Sequence, residues 1–282
     1  MKACLDCYPC LFNQALRTAR MITQDEKKIL AILNSVSRLL PQLSFNVTPP
    51  EIGKRMYQMI AEMTDVYDPF QKVKQECTQR ALQMVPEVKQ RIMESSDRLE
   101  MVVRAAVAGN IIDFGAYAEF DFHKDLEAVF TQEFAINHLP EFKEAVKQAR
   151  RIMYIGDNAG ETVFDRLLIE EMNKPTQFAV REKPVINDAV YQDAVDAGLD
   201  QVAEIISSGS DAPGNLLSLC SDEFMEAYTN ADLIISKGQG NYEALSEETR
   251  PIFFLLKAKC PVIARDIGVP VGSIILMRSL GD

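Results

Sequence analysis

Three segments in the C-terminal half of the chain carry the residue types that could do chemistry. The first contains Asp157 and Asn158, the second contains Asp188, and the third is a glycine-rich segment that begins at Lys237. Carboxylate and amide oxygens are ligands that hard divalent cations such as Mg²⁺ and Mn²⁺ prefer. Such a cation keeps positions for water and a phosphate oxygen, and a lysine could hold a second phosphate oxygen. These residues therefore predict metal-assisted phosphate chemistry, with a cation bound by Asp157, Asn158 and Asp188 and with Lys237 on the phosphate.

Each of these segments also has a purely structural interpretation. Asp157 could cap a helix that begins two residues later, and residues 187–188 could cap another helix. The glycines after Lys237 could serve an ordinary turn, because glycine adopts positive φ without steric penalty. Glu161 is more simply a first-turn helix acid than a ligand. A site is favoured only because the segments are predicted to meet at one edge of a sheet.

The elements that would position these residues alternate between strand and helix from residue 151 onwards. Strands are predicted at 151–155, 177–180, 204–207 and 232–236, with two further candidates at 252–256 and 262–264. Helices predicted at 161–172, 187–197 and 215–228 separate the first four strands. This alternation predicts a mostly parallel, Rossmann-like sheet with helices on both faces. Ligands of such sheets bind at the carboxyl ends of the strands, where the three segments lie.

The first half of the chain is predicted to be helical from residue 9 to about residue 148. Thr48 and Glu51 flank two prolines in a pattern typical of a capped helix start. Thr23 and Glu26 suggest a second capping box. We therefore predict a mainly helical domain at residues 1–148, packed on a Rossmann-like α/β domain at residues 149–282 that carries the metal site.

Composition limits the partners that the sequence favours. The chain has 282 residues and a formal net charge of -11, with no cluster of Lys and Arg that would suit nucleic acid. No apolar run reaches the roughly 18–20 residues that span a bilayer, and the N-terminus lacks the apolar core of a secretory signal. We expect a cytoplasmic protein that binds neither nucleic acid nor membrane. The sequence leaves the oligomeric state open.

Three cysteines near the N-terminus, Cys4, Cys7 and Cys10, are spaced as C-x-x-C-x-x-C. One interpretation is a second metal site or a redox function, for which zinc would need a fourth ligand. The candidates for that ligand are Cys77, Cys260 and His123. The other interpretation is that the three are small apolar residues at the start of the first helix.

Five segments together resemble the damage-control phosphatases, in the order in which that family carries them. They are GDNAGE at 156–161, KPVIND at 183–188, KGQGNYE at 237–243, GNIIDFG at 109–115 and Asp68-Pro69-Phe70. The chain most resembles the compact prokaryotic branch that has N-terminal cysteines. It departs from the larger eukaryotic relatives in its length and in carrying Phe-Gly after Asp113, where those have Leu-Ser.

The resemblance implies a metal-dependent phosphatase that acts on small phosphomonoesters such as sugar phosphates or damaged phosphometabolites. It implies Mg, Mn, Co or Ni at Asp157, Asn158 and Asp188, and a phosphate contact from Lys237. Asn110 and Asp113 would face the same pocket from the helical side as substrate-binding residues. Asp157 could be a ligand or could attack phosphorus, and a water activated by the cation is the simpler nucleophile.

Two other classes of protein remain for comparison. A dinucleotide-dependent oxidoreductase is disfavoured, because glycines 156 and 160 do not have the G-x-G-x-x-G spacing. The alternative that stays open is a metal- or cluster-binding protein built on the cysteine triplet, without phosphatase activity.

Overall fold

The fold was analysed in a computed structural model that describes residues 1–42, 44, 46–111, 127 and 130–279, with only the backbone at 110 and 111. The helices are α1 (Cys7–Ile22), α2 (Glu26–Leu39), α3 (Pro49–Thr64), α4 (Gln71–Glu94), α5 (Arg98–Ile111), α6 (Leu139–Gln148), α7 (Thr162–Met172), α8 (Tyr191–Asp196), α9 (Asp222–Asn230), α10 (Gly238–Leu245) and α11 (Pro261–Ile267). The strands are β1 (Phe134–Asn137), β2 (Ile152–Ile155), β3 (Thr176–Val180), β4 (Glu204–Ser207), β5 (Leu233–Lys237), β6 (Phe253–Lys257) and β7 (Ile274–Arg278).

The seven strands form one sheet in the order β1-β7-β6-β5-β2-β3-β4. Neighbouring strands run parallel except β6 and β7, which are antiparallel. The carboxyl ends of β2, β3, β4 and β5 therefore lie along one edge. This architecture confirms the predicted α/β fold with a mostly parallel sheet and helical layers.

Successive side chains of β2 alternate between the two faces of the sheet, so each strand contributes to two cores. Ile152 and Tyr154 belong to the core beneath α4–α7, whereas Met153 and Ile155 belong to the core beneath α9, α10 and α11. All four side chains are buried, and each large apolar side chain contributes about 1.5–3 kcal/mol when fully buried. The described helices thus cover both faces of the sheet, which leaves the strand ends as the place where a ligand can approach it.

Helices α1, α2 and α3 enclose a separate core. The capping box predicted at Thr48 is confirmed, since its Oγ1 accepts from Glu51 N–H at 3.4 Å and Glu51 Oε1 accepts from Thr48 N–H at 3.3 Å. The box predicted from Thr23 is wrong, because Asp25 caps α2 by accepting from Lys27 N–H at 2.9 Å.

The strand predicted at 252–256 is confirmed as β6, but the sequence prediction failed at the sheet edge formed by β1 and β7. Strands β1 and β7 were not predicted, and residues 262–264 form part of α11 instead of a strand. Cys260 caps this helix, Pro261 occupies its first turn, and Gly268 ends it with a φ of 81°. These are helix start and stop signals that outweigh the short apolar run.

Strand β1 lies inside the segment that was predicted to be the helical domain. Helices α4 and α5 also share a core with the sheet, whereas α1–α3 do not. The division at residues 148 and 149 stays a prediction. No helix in the described part of the chain is both long enough and apolar enough to cross a membrane.

Candidate metal and phosphate site

The loops after β2 and β3 pair with each other and bring the three predicted metal ligands together. Asn158 lies opposite Asp188 in a short antiparallel bridge, and Ala189 N–H donates to the Asp157 carbonyl at 2.8 Å. Ile186, just before Asp188, has a φ of 41°, which is an outlier for a β-branched residue. Such strain concentrates at functional sites, and no residue pattern in this segment predicts it. Asp157, Asn158 and Asp188 are all buried.

Arg181, directly after β3, lies close to both aspartates. Its Nε donates to Asp188 Oδ2 at 2.6 Å, and its Nη2 lies 3.8 Å from Asp157 Oδ1. Burial, together with the charges of Asp188 and Glu161, raises the pKa of Asp157 well above its ordinary value despite Arg181. Negative charge around Asp157 therefore outweighs the positive charge of Arg181, and a bound cation would offset the excess.

The side-chain oxygens of Asp157, Asn158 and Asp188 suit a hard cation. Among the described residues, no three His, Cys, Asp or Glu side chains are grouped as metal ligands. A cation between Asp157 and Asp188 would therefore use the Asn158 amide oxygen as its third protein ligand. Oxygen-only sets of this kind are typical of Mg²⁺ and Mn²⁺.

Lys237 is placed differently from what the sequence predicted. Its side chain is fully buried, and Nζ lies 2.9 Å from Glu161 Oε2 and 2.7 Å from Asp165 Oδ1. Burial alone would lower its pKa, but the two carboxylates outweigh burial and raise it above its ordinary value. Glu161 Oε1 in turn accepts from Asn158 Nδ2. Lys237 therefore acts on the candidate ligand Asn158 through Glu161, and its geometry does not support a direct phosphate contact.

Asn241 connects the ends of β2, β3 and β5 with the loop that follows β4. Its Nδ2 donates to the carbonyls of Gly156 and Lys237 at 2.9 and 2.8 Å. Its Oδ1 accepts from Asn215 N–H at 3.0 Å and from Arg181 Nη2 at 3.2 Å. One buried amide thus fixes both the loop that carries Asp157 and the arginine that contacts Asp188, and only the family motif marked it in the sequence.

A cavity of about 850 Å³ opens onto this site. The candidate ligands Asp157, Asn158 and Asp188 line it together with Arg17 from α1 and Lys259 from the loop after β6. The Lys259 charge reaches Asp157, since it partly opposes the rise in the pKa of that carboxyl. The sequence did not indicate either cation, because neither residue follows one of the four strands whose carboxyl ends were predicted to form the site.

Two of the three N-terminal cysteines lie at the same cavity. Cys7 and Cys10 line it with Cys260, although Cys260 is far away in the sequence. Cys10 Sγ accepts from Gln14 Nε2 at 3.3 Å, and Cys4 Sγ lies 3.8 Å from Cys7 Sγ. The described geometry does not arrange the triplet as a metal site.

The residues that were predicted to reach the pocket from the helical half lie mostly outside the described residues. The side chain of Asn110 and all of Asp113 and His123 fall outside them. The end of α5 does reach the site, because a Cβ added at Gly109 would lie 3.1 Å from Glu161 Cα. His138 is at the start of α6, where its Nδ1 accepts from Arg278 N–H at 2.9 Å.

The motif at Asp68 has a structural role in the described contacts. Asp68 Oδ1 accepts from Phe70 N–H at 3.2 Å just before α4, and Oδ2 lies 2.9 Å from the buried Lys74 Nζ. Lys74 also pairs with Asp193 at 2.8 Å. This ion pair connects α4 to α8, which follows the Asp188 loop.

Glu243 also lines the cavity, and burial raises its pKa from 4.5 to about 7. Between pH 4.5 and about pH 7 the Glu243 carboxyl is protonated in the folded state but ionised in the unfolded state. The free energy of unfolding therefore falls as the pH rises through this range. We expect Glu243→Gln to match the parent near pH 4.5 and to be more stable near pH 8 by about 1–2 kcal/mol, discounted for partial exposure. Urea unfolding at both pH values measures this, and Glu247→Gln, on a side chain that is 71% exposed, should show no such pH-dependent gain.

The fold and the cavity together define a class of protein. A mostly parallel sheet with a pocket lined by polar groups at its carboxyl edge is typical of α/β proteins that bind small ligands at strand ends. Residues 3–275 match the model of the family described as the damage-control phosphatase ARMT1-like domain. The chain therefore belongs to the damage-control phosphatase family, which confirms the resemblance.

Individual relatives agree with this assignment. A damage-control phosphatase of Pyrococcus horikoshii is 36% identical over 286 residues, which cover 99% of both chains. One from Archaeoglobus fulgidus is 32% identical over 280 residues, covering 95% of this chain and 96% of that relative. The crystal structure of a DUF89 family protein from Pyrococcus horikoshii matches with a TM-score of 0.91 at 36% identity, and covers 99% of each chain.

Proposed function

We propose that the protein hydrolyses small phosphomonoesters, such as sugar phosphates or damaged phosphometabolites, with a divalent cation held by Asp157, Asn158 and Asp188. The observation that carries this proposal is the pairing of the two loops, which gathers two buried carboxylates and an amide at the wall of one cavity. Family membership supports the phosphatase activity. When bound, the cation would offset phosphate charge and make phosphorus more electrophilic.

The cavity also supplies the groups that would hold the phosphate. Arg17 and Lys259 line it along with the candidate ligands, and they are positive where the rest of the site is acidic. We assign phosphate binding to these two cations, because Lys237 is fully enclosed by Glu161 and Asp165. Lys237 then has a positioning role, in which it holds Glu161 and hence the Asn158 amide.

The cavity lining includes side-chain amides that suit a hydroxylated ester. Side-chain amides of Asn13, Gln14 and Gln239 line it with the charged groups. Amides donate to and accept from hydroxyl groups, which suits a hydroxylated leaving group. A volume of about 850 Å³ holds such a molecule with water to spare.

Metal removal tests this proposal directly. The protein is stripped with a chelator and assayed on p-nitrophenyl phosphate and on a panel of sugar phosphates, with Mg²⁺, Mn²⁺, Co²⁺ or Ni²⁺ restored singly. We expect turnover to fall by about 10³-fold or more without metal and to return with at least one of them. Full turnover by the stripped protein, or none with any metal, would contradict the proposal.

A further inference from the structure

We propose that Cys4 and Cys7 are a dithiol that closes reversibly to a disulfide in the folded protein, next to the cavity. The two Sγ atoms are 3.8 Å apart. A disulfide requires about 2.05 Å, so the thiols need to approach by less than 2 Å, which is on the order of a side-chain torsion adjustment. This proposal does not depend on the phosphatase activity.

The backbone already holds the pair in position. Cys7 is the first residue of α1, and its N–H donates to the Cys4 carbonyl at 3.0 Å. Cys4 N–H donates to Cys7 Sγ at 3.5 Å. These two bonds close a single turn before the helix, which brings the side chains to the same side.

Accessibility decides which thiol reacts first. Cys4 is partly exposed, whereas Cys7 is buried at 8% exposure. With a low-molecular-weight disulfide as oxidant, the Cys4 thiolate attacks one of its sulfurs and expels a small thiolate. The Cys7 thiolate then attacks Cys4 Sγ and expels the second one. Two protons leave the protein and are taken up by the two released thiolates, so the protein is oxidised by two electrons and the small disulfide is reduced.

The second step is expected to be the slow one. Burial, and to a smaller degree the nearby Cys4 and Glu243, raises the pKa of Cys7 to about 12. Little thiolate is therefore present at neutral pH. Arg265 lies near Cys4 and binds Asp6, and the Glu243 charge reaches Cys7, so among the described residues the pair faces charges of both signs. We expect closure to be about tenfold faster for each pH unit between pH 7 and pH 9.

Thiol counting on the full chain tests the proposal. The reduced protein is incubated with oxidised glutathione under native conditions, quenched with acid, denatured and alkylated. The six thiols should fall to four, peptide mapping should link Cys4 to Cys7, and dithiothreitol should restore all six. Cys4→Ser and Cys7→Ser should prevent the loss, whereas Cys10→Ser and Cys260→Ser should lose the same two thiols as the parent.

Three results would overturn the proposal. The count could stay at six after long exposure at pH 9, the link could map to Cys10 and Cys260, or glutathione could remain on Cys4 without displacement. Cys4→Ser keeps the test valid if Cys7→Ser does not fold, since Cys4 is partly exposed.

Discussion

Replacing Asp157 with Asn should abolish metal-dependent turnover without destabilising the protein. We expect a loss of about 10³-fold or more, because a cation contributes several kcal/mol of charge stabilisation in phosphate transfer and a second neutral amide in place of a carboxylate removes one negative charge that would hold it. The metal-free variant should be more stable than the parent at neutral pH, since burial disfavours the Asp157 charge and Asp188 and Glu161 repel it. Calorimetric titration with Mn²⁺ and urea unfolding measure the two effects.

Asp193→Asn is the matched control, because Asp193 is another buried aspartate, outside the candidate ligand set. Its carboxylate pairs with the buried Lys74 at 2.8 Å and also accepts from Val190 N–H at 3.0 Å. Loss of this charge should lower the free energy of unfolding by about 1–3 kcal/mol, with Asp68 remaining as a partner for Lys74. Mn²⁺ affinity should stay near that of the parent. If Asp157→Asn unfolds like the Asp193 variant while retaining metal, Asp157 is structural.

The three candidate ligands could be predicted from sequence because a general rule places them. Parallel strands present their carboxyl ends at one edge, so polar residues that follow β2 and β3 are brought together wherever the strands pair. Asp157 and Asn158 come two and three residues after the end of β2, and Asp188 comes eight residues after the end of β3. The register of the loops was not predictable, because it depends on backbone pairing across residues that are far apart in the sequence.

The same rule does not predict the direction in which the Lys237 side chain points. The residue does end β5, as the strand pattern indicates, but its side chain turns inwards to Glu161 and Asp165. These carboxylates stand at the start of α7, and their burial depends on the packing of α4 and α5 over the sheet. Arg17 could not be predicted for a related reason. It comes from α1, and helix periodicity fixes which face of α1 is apolar but not which part of the sheet its polar face meets.

Replacing Gly238 with Ala should disrupt the candidate site from outside the ligand set. Gly238 opens α10 with a φ of 77°, and a Cβ at this position would overlap the Asp157 carboxylate. Two effects are expected, namely backbone strain of about 1–2 kcal/mol and displacement of Asp157. The second effect should weaken Mn²⁺ binding by tenfold or more and reduce turnover, because a ligand that moves by about 1 Å no longer fits the cation.

Gly268→Ala separates these two effects. Gly268 has a φ of 81°, close to that of Gly238, but a Cβ there has no atom within 4 Å. Both variants should lose similar stability in urea unfolding, whereas only Gly238→Ala should lose Mn²⁺ affinity and turnover. Equal metal affinity in the two variants would show that Asp157 can move aside without loss. The close approach of the α10 backbone to Asp157 would then be incidental, and the placement of the cation next to that carboxylate would have to be abandoned.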